Sequence, residues 1–149
     1  MNLDFLEKIV AWAQRPEVSL LLRATVKVLV ILASFFPGPA YAIMQMVEKA
    51  FDGIDKQREQ GIEVSLEQKR SYTENIVDVA LAEYHGSGSL LPEWWIRQIT
   101  AAFVGVLGGM RYGEDFTRMQ AAELKGYMSS SEDVRNAAKT HAGFKLFGV

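Results

Sequence analysis

The chain has 149 residues, a net charge of −2, 49% apolar and 23% charged residues, and no cysteine. That length and balance suit a single globular domain with a core of its own. The missing cysteines exclude disulfides, thiolate nucleophiles and cysteine metal sites, and the lack of a basic excess or stripe argues against nucleic acid as a partner.

Charge is unevenly placed. Residues 1–27 sum to +1, residues 48–97 to −4 and residues 111–149 to +1. Two nearly uncharged stretches, 28–47 and 98–110, separate the acidic middle from the mildly basic ends.

Residues 1–14 read as an amphipathic helix, with Leu3, Leu6, Ile9, Val10 and Ala13 on one face and Phe5 and Trp12 widening it. Pro16 suits the first turn of a second helix, predicted over 16–36. Its second half, from Val28, is apolar on every side, the mark of a helix buried in protein or lipid. Pro37, Gly38 and Pro39 then predict a corner between two apolar helices, because proline lacks the N–H and fixes φ. The stretch Lys27 to Ala42 imitates a signal peptide with an A-x-A site, but the 27 residues before it are long for an n-region and have their own helical pattern. Cleavage is not expected, and a cytoplasmic or membrane-associated location is.

The third helix carries Ile43, Val47, Ala50, Phe51 and Ile54 on one stripe, becomes charged from Glu48 and is expected to stop at Gly61. Ser65 and Gln68 match a capping box for a fourth helix, whose stripe is Tyr72, Ile76, Val77, Ala80, Leu81 and Tyr84. A loop is expected at 85–89, after which Pro92 opens a helix led by Trp94 and Trp95. On this helix Ala101, Gly105 and Gly109 recur every four residues, a row of small residues that lets two backbones approach closely. Thr25 and Thr100 are expected to bond back to helix carbonyls. Further helices are expected over 114–128 and 132–141, followed by an apolar tail containing Phe144 and Phe147. The fold class is therefore all-α, with six or seven helices and no strand alternation.

The residues that carry chemistry are sparse. His85 and His141 lie in different segments without metal-ligand partners at helical spacing. Glu48, Asp52, Asp55 and Glu59 share a helical face, but Lys49, Lys56 and Arg58 interleave with them as on a solvated helix. No nucleophile elbow, P-loop or dinucleotide fingerprint is present, so neither catalysis nor a cofactor is expected.

The expected function is that of a non-enzymatic helical assembly or structural subunit. It would form a homo-oligomer or join a larger protein assembly, with membrane contact as a further possibility. Its packing surfaces are expected at Ala101, Gly105, Gly109, the corner at Pro37, Gly38 and Pro39, the pair Trp94 and Trp95, and the tail residues Phe144 and Phe147. The alternative is a small membrane-inserting protein, pore-forming or holin-like, with 28–47 and 94–110 as short spans and both ends on one side. The proline-broken first stretch favours burial in protein, since each of its arms covers only about 12–14 Å as helix.

Overall fold

The computed structural model describes residues 4–86 and 91–120. Among these, all regular structure is helical. A 3-10 turn at Asp4–Leu6 leads into α1 (Glu7–Ala13), followed by α2 (Leu20–Phe35), α3 (Pro37–Glu59), α4 (Leu66–Gly86) and α5 (Glu93–Tyr112). A further helical stretch, α6, occupies 114–120. The expected helix at 132–141 lies outside the described residues.

The helix ends follow local chemistry. Ser19, not Pro16, starts α2: its Oγ accepts from Leu22 N–H at 3.3 Å, while Pro16 sits in the preceding turn. Arg23 fastens that turn, its Nε donating to Ala13 O at 3.1 Å and its Nη2 to Arg15 O at 2.9 Å. At the far end of α3, Gly61 adopts φ 83°, a left-handed value that suits a residue without Cβ. Gly61 N–H donates to Arg58 O and Ile62 N–H to Gln57 O, both at 3.0 Å, which completes a Schellman stop. The capping box opens α4 as the sequence implies: Gln68 N–H donates to Ser65 Oγ at 3.2 Å and Ser65 N–H to Gln68 Oε1 at 2.8 Å.

The corner differs from the expected one. Pro37, Gly38 and Pro39 form the first turn of α3, where the missing N–H groups have no intrahelical acceptor to serve. The break falls one residue earlier, at Phe36, with φ −142° and ψ 80°. A residue preceding proline is driven out of the α region by the proline Cδ. The Pro-Gly-Pro tripeptide thus causes the corner without being it.

The core is one continuous cluster, and α5 runs through its centre. From Trp95 to Gly109 only Arg97 escapes full burial. Leu29, Leu32 and Ala33 of α2, Ile43, Val47 and Phe51 of α3, and Ile76, Val77 and Ala80 of α4 close around it. Ile9 and Ala13 of α1 add the outer layer. Buried polar side chains on this central axis fare unequally. Thr25 Oγ1 bonds back to Leu21 O at 2.8 Å as expected, whereas Thr100 Oγ1, Gln98 Oε1 and Gln120 Nε2 have no hydrogen-bond partner.

Glycines let α6 fold back on α5. A Cβ on Gly108 would overlap the Phe116 ring, and one on Gly109 would overlap Thr117 Oγ1 and meet Leu22 Cδ2 at 2.9 Å. Thr117 Oγ1 in turn donates to Gly105 O at 2.8 Å. At Gly105 there is more room, since a Cβ there would meet Gln120 Cγ at 3.4 Å. Gly108→Ala and Gly109→Ala should therefore each destabilise the fold by about 1–3 kcal/mol through overpacking. Gly105→Ala should be neutral or stabilising by up to about 1 kcal/mol through helix propensity. Urea midpoints of the three variants check this ordering, and equal midpoints would refute it.

Candidate interaction surface

The structure brings several of the expected packing residues together inside the chain. Trp94 and Trp95 close on the α2–α3 corner. Phe36 meets Trp95 edge-on with ring centroids 5.0 Å apart, and Phe35 meets Trp94 at 6.0 Å. Trp95 is fully buried, and its Nε1–H donates to Leu32 O at 2.7 Å. Leu32 belongs to the last turn of α2, whose carbonyls have no donor within the helix. Ala101, Gly105 and Gly109 are all buried, and the two glycines face Thr25, Gln120, Thr117 and Leu22 of the same chain. The small-residue row supports a close approach, but to α2 and α6 of its own chain. Phe144 and Phe147 lie outside the described residues.

A polar clasp that the sequence pattern did not reveal joins α3 to the end of α5. Arg111 Nη1 donates to Asp52 Oδ1 and Asp55 Oδ2, each at 3.0 Å. The Tyr112 hydroxyl donates to Asp55 Oδ1 at 3.0 Å, and its ring packs on Phe51 and Phe116 with centroids 5.5 and 5.6 Å away. Lys69 Nζ lies 3.9 Å from the centroid of the Tyr112 ring, which brings in α4 through a cation–π contact. The signal available in sequence was the i, i+3 pair Asp52 and Asp55; their partners are more than 50 residues away.

Electrostatics make this cluster a fastening. Burial works against the Arg111 charge, but Asp52 and then Asp55 outweigh it and hold the guanidinium pKa above its ordinary value. Burial, then the hydrogen bond and charge of Asp55, push the Tyr112 phenol up from its ordinary 10.0. A cavity of about 570 Å³ opens beside the clasp, and Asp55, Arg111 and Tyr112 line it together with Arg58, Glu63 and Lys69. Its charges are mixed, and its most buried acid is already occupied by Arg111 and Tyr112. Among the described residues, no group of three or more histidine or carboxylate side chains is placed to hold a metal ion.

An apolar groove of about 440 Å³ lies between α3 and α4. Met46 and Ala50 of α3 and Ile76 of α4 line it, with Tyr72 and Val79 along its α4 side and Lys49 and Glu83 at its rim. Tyr72 is 41% and Val79 58% exposed, although each lies within one turn of a buried apolar residue. The Tyr72 hydroxyl reaches α3 beside Gly53, where a Cβ would lie 3.7 Å from it, an ordinary contact.

Comparison with protein-family models, curated proteins and solved structures returns no match for this chain.

The clasp gives the fold a definite alkaline response. A phenol whose folded pKa is raised contributes stability that is complete below its unfolded value and declines as pH rises through the folded one. Melting temperature should therefore fall as pH rises above the ordinary tyrosine value of 10.0. In an absorbance titration of phenolate, Tyr112→Phe should remove a component that ionises above the ordinary tyrosine value of 10.0. If Tyr112→Phe left the titration above that value unchanged, the clasp would be ruled out.

Proposed function

We propose that this chain is a non-enzymatic helical assembly subunit that self-associates through its α3–α4 face. The observation that carries this reading is the groove beside α4, where Tyr72 and Val79 expose apolar surface next to Met46, Ala50 and Ile76. Apolar groups gathered in a groove and rimmed by charge are characteristic of protein-binding surfaces. Isolated exposed apolar residues such as Leu20 carry no such weight.

The fate of the two uncharged stretches supports assembly over membrane insertion. Residues 28–47 and 94–110 lie largely in the core and pack on each other through the tryptophan pair and the corner. No described helix is long and apolar enough to cross a membrane. Among the described residues, the α3–α4 groove gathers apolar surface outside that core, and a helical face of a second subunit is the kind of surface that fits it.

The purified protein should show a native mass that is a multiple of 16.7 kDa in light scattering. Val79→Glu should shift that mass toward one copy while changing folding stability by no more than about 0.5 kcal/mol, as expected at an exposed helix position. A single-copy mass at all concentrations would defeat the reading.

A further inference from the structure

We infer that the groove between α1 and the end of α5 is a docking site for the anionic headgroup surface of a lipid bilayer. This inference is independent of the assembly reading and uses a different face of the molecule.

The site follows from one stripe of α1. Lys8, Ala11, Trp12 and Arg15 recur at intervals of three and four, so they lie on one side of the helix. Arg15 stands just past the end of α1, but its N–H donates to Trp12 O at 3.1 Å and keeps it in line. With Met110 of α5 these four residues line a groove of about 550 Å³.

Charge sets this groove apart. Its lining holds two bases and no acid, whereas the cavity beside the clasp and the α3–α4 groove both include carboxylates. Among the described residues, Lys8 and Arg15 have no ion-pair partner. A third base stands behind them. Arg23 donates from Nε to Ala13 O at 3.1 Å and from Nη2 to Arg15 O at 2.9 Å, which brings its guanidinium to the same end of α1. Glu7 precedes Lys8 but is turned about 100° from it around the helix, and neither Glu7 nor Glu17 lines the groove. The whole chain carries −2, so its approach to an anionic bilayer depends on a local basic face of this kind.

The apolar part of the lining selects a bilayer over a soluble anion. Trp12 is partly buried against the core and Met110 is 39% exposed. A free phosphate would engage the two bases and leave the indole and the thioether in water. A bilayer surface engages both: its phosphates meet the bases, and tryptophan favours the headgroup layer. Such a contact requires no spanning helix, and no described helix is long and apolar enough to be one.

Vesicle sedimentation at low ionic strength tests the site. Vesicles of phosphatidylserine with phosphatidylcholine should bring the protein down, and vesicles of phosphatidylcholine alone should not. Lys8→Ala and Arg15→Ala should each weaken binding about fivefold, the effect of one base near an anionic surface. Lys56→Ala/Arg58→Ala removes two exposed charges from α3 and should leave binding unchanged. Circular dichroism establishes that each variant is folded. Binding should shift tryptophan emission to the blue, and Trp12→Phe should remove that shift, since Trp95 is already fully buried and Trp94 packs on Phe35. Failure to sediment with phosphatidylserine vesicles overturns the inference, as does undiminished binding of the Lys8→Ala/Arg15→Ala variant. Capture of a polyglutamate peptide through Lys8 and Arg15 without vesicle binding also overturns it and assigns the groove to an acidic protein segment. The native mass is read separately, so a single-copy mass defeats the assembly reading and leaves this one standing.

Discussion

The fold depends on how the end of α2 is satisfied. Pro37 has no N–H and forces Phe36 out of the helical region, so α2 ends in the interior with carbonyls that need donors. Trp95 supplies one through its indole, at 2.7 Å from Leu32 O, and its ring also packs against Phe36. One side chain thus fixes the angle of the corner and the height of α5 against it. A buried carbonyl left without a donor would cost about 1–3 kcal/mol, comparable to a large part of a small domain's stability. The position of α5 then sets the rest, because α2, α3, α4 and α6 all pack on it.

A helix surrounded on all sides needs neighbours at more than one distance. Leucine, valine and isoleucine on α5 keep α2, α3 and α4 at ordinary spacing. Gly108 and Gly109 allow the turn at Gly113 to bring Phe116 and Thr117 against the α5 backbone. Two adjacent glycines in a helix cost roughly 1 kcal/mol each relative to alanine. The Thr117 bond to Gly105 O and the buried Phe116 ring offset that cost in the described fold.

Much of the architecture was legible because it is local. The stripe of α3, the Ile76, Val77, Ala80 and Leu81 part of the α4 stripe, the Ser65–Gln68 box and the Gly61 stop each depend on residues within about one or two turns, and the structure bears them out, whereas Tyr72, expected on the same inward stripe, is 41% exposed. The start of α2 was misplaced because proline at a first turn and serine at a cap are both valid signals, and the serine side chain prevailed. The corner was offset by one residue for a similar reason: proline acts on the residue before it. The clasp of Asp52, Asp55, Arg111 and Tyr112 was invisible because its partners meet only after α5 has packed beside α3. The glycine row announced a close approach but could not say to whom, since small residues specify a distance and not a partner.

That ambiguity bears on where association can occur. The most apolar segments of the sequence are the natural suspects for an interface, yet they are also the segments that folding consumes first. Here the uncharged stretches supply much of the core, and the tryptophan pair and the α5 glycines Gly105, Gly108 and Gly109 are engaged by their own chain, while Gly38 of the Pro-Gly-Pro turn faces open space. The groove beside α4 is lined mostly from within residues 48–97, which carry a net charge of −4, with Met46 added from the uncharged stretch. It escapes notice in sequence because Tyr72 falls at the helical spacing of the inward stripe of α4, and Val79 lies beside that stripe. Charge accompanies these apolar groups, with Lys49 and Glu83 in the same lining. The apolar part of the chain thus supplies the core, and α4 gives one face to that core and the other to solvent.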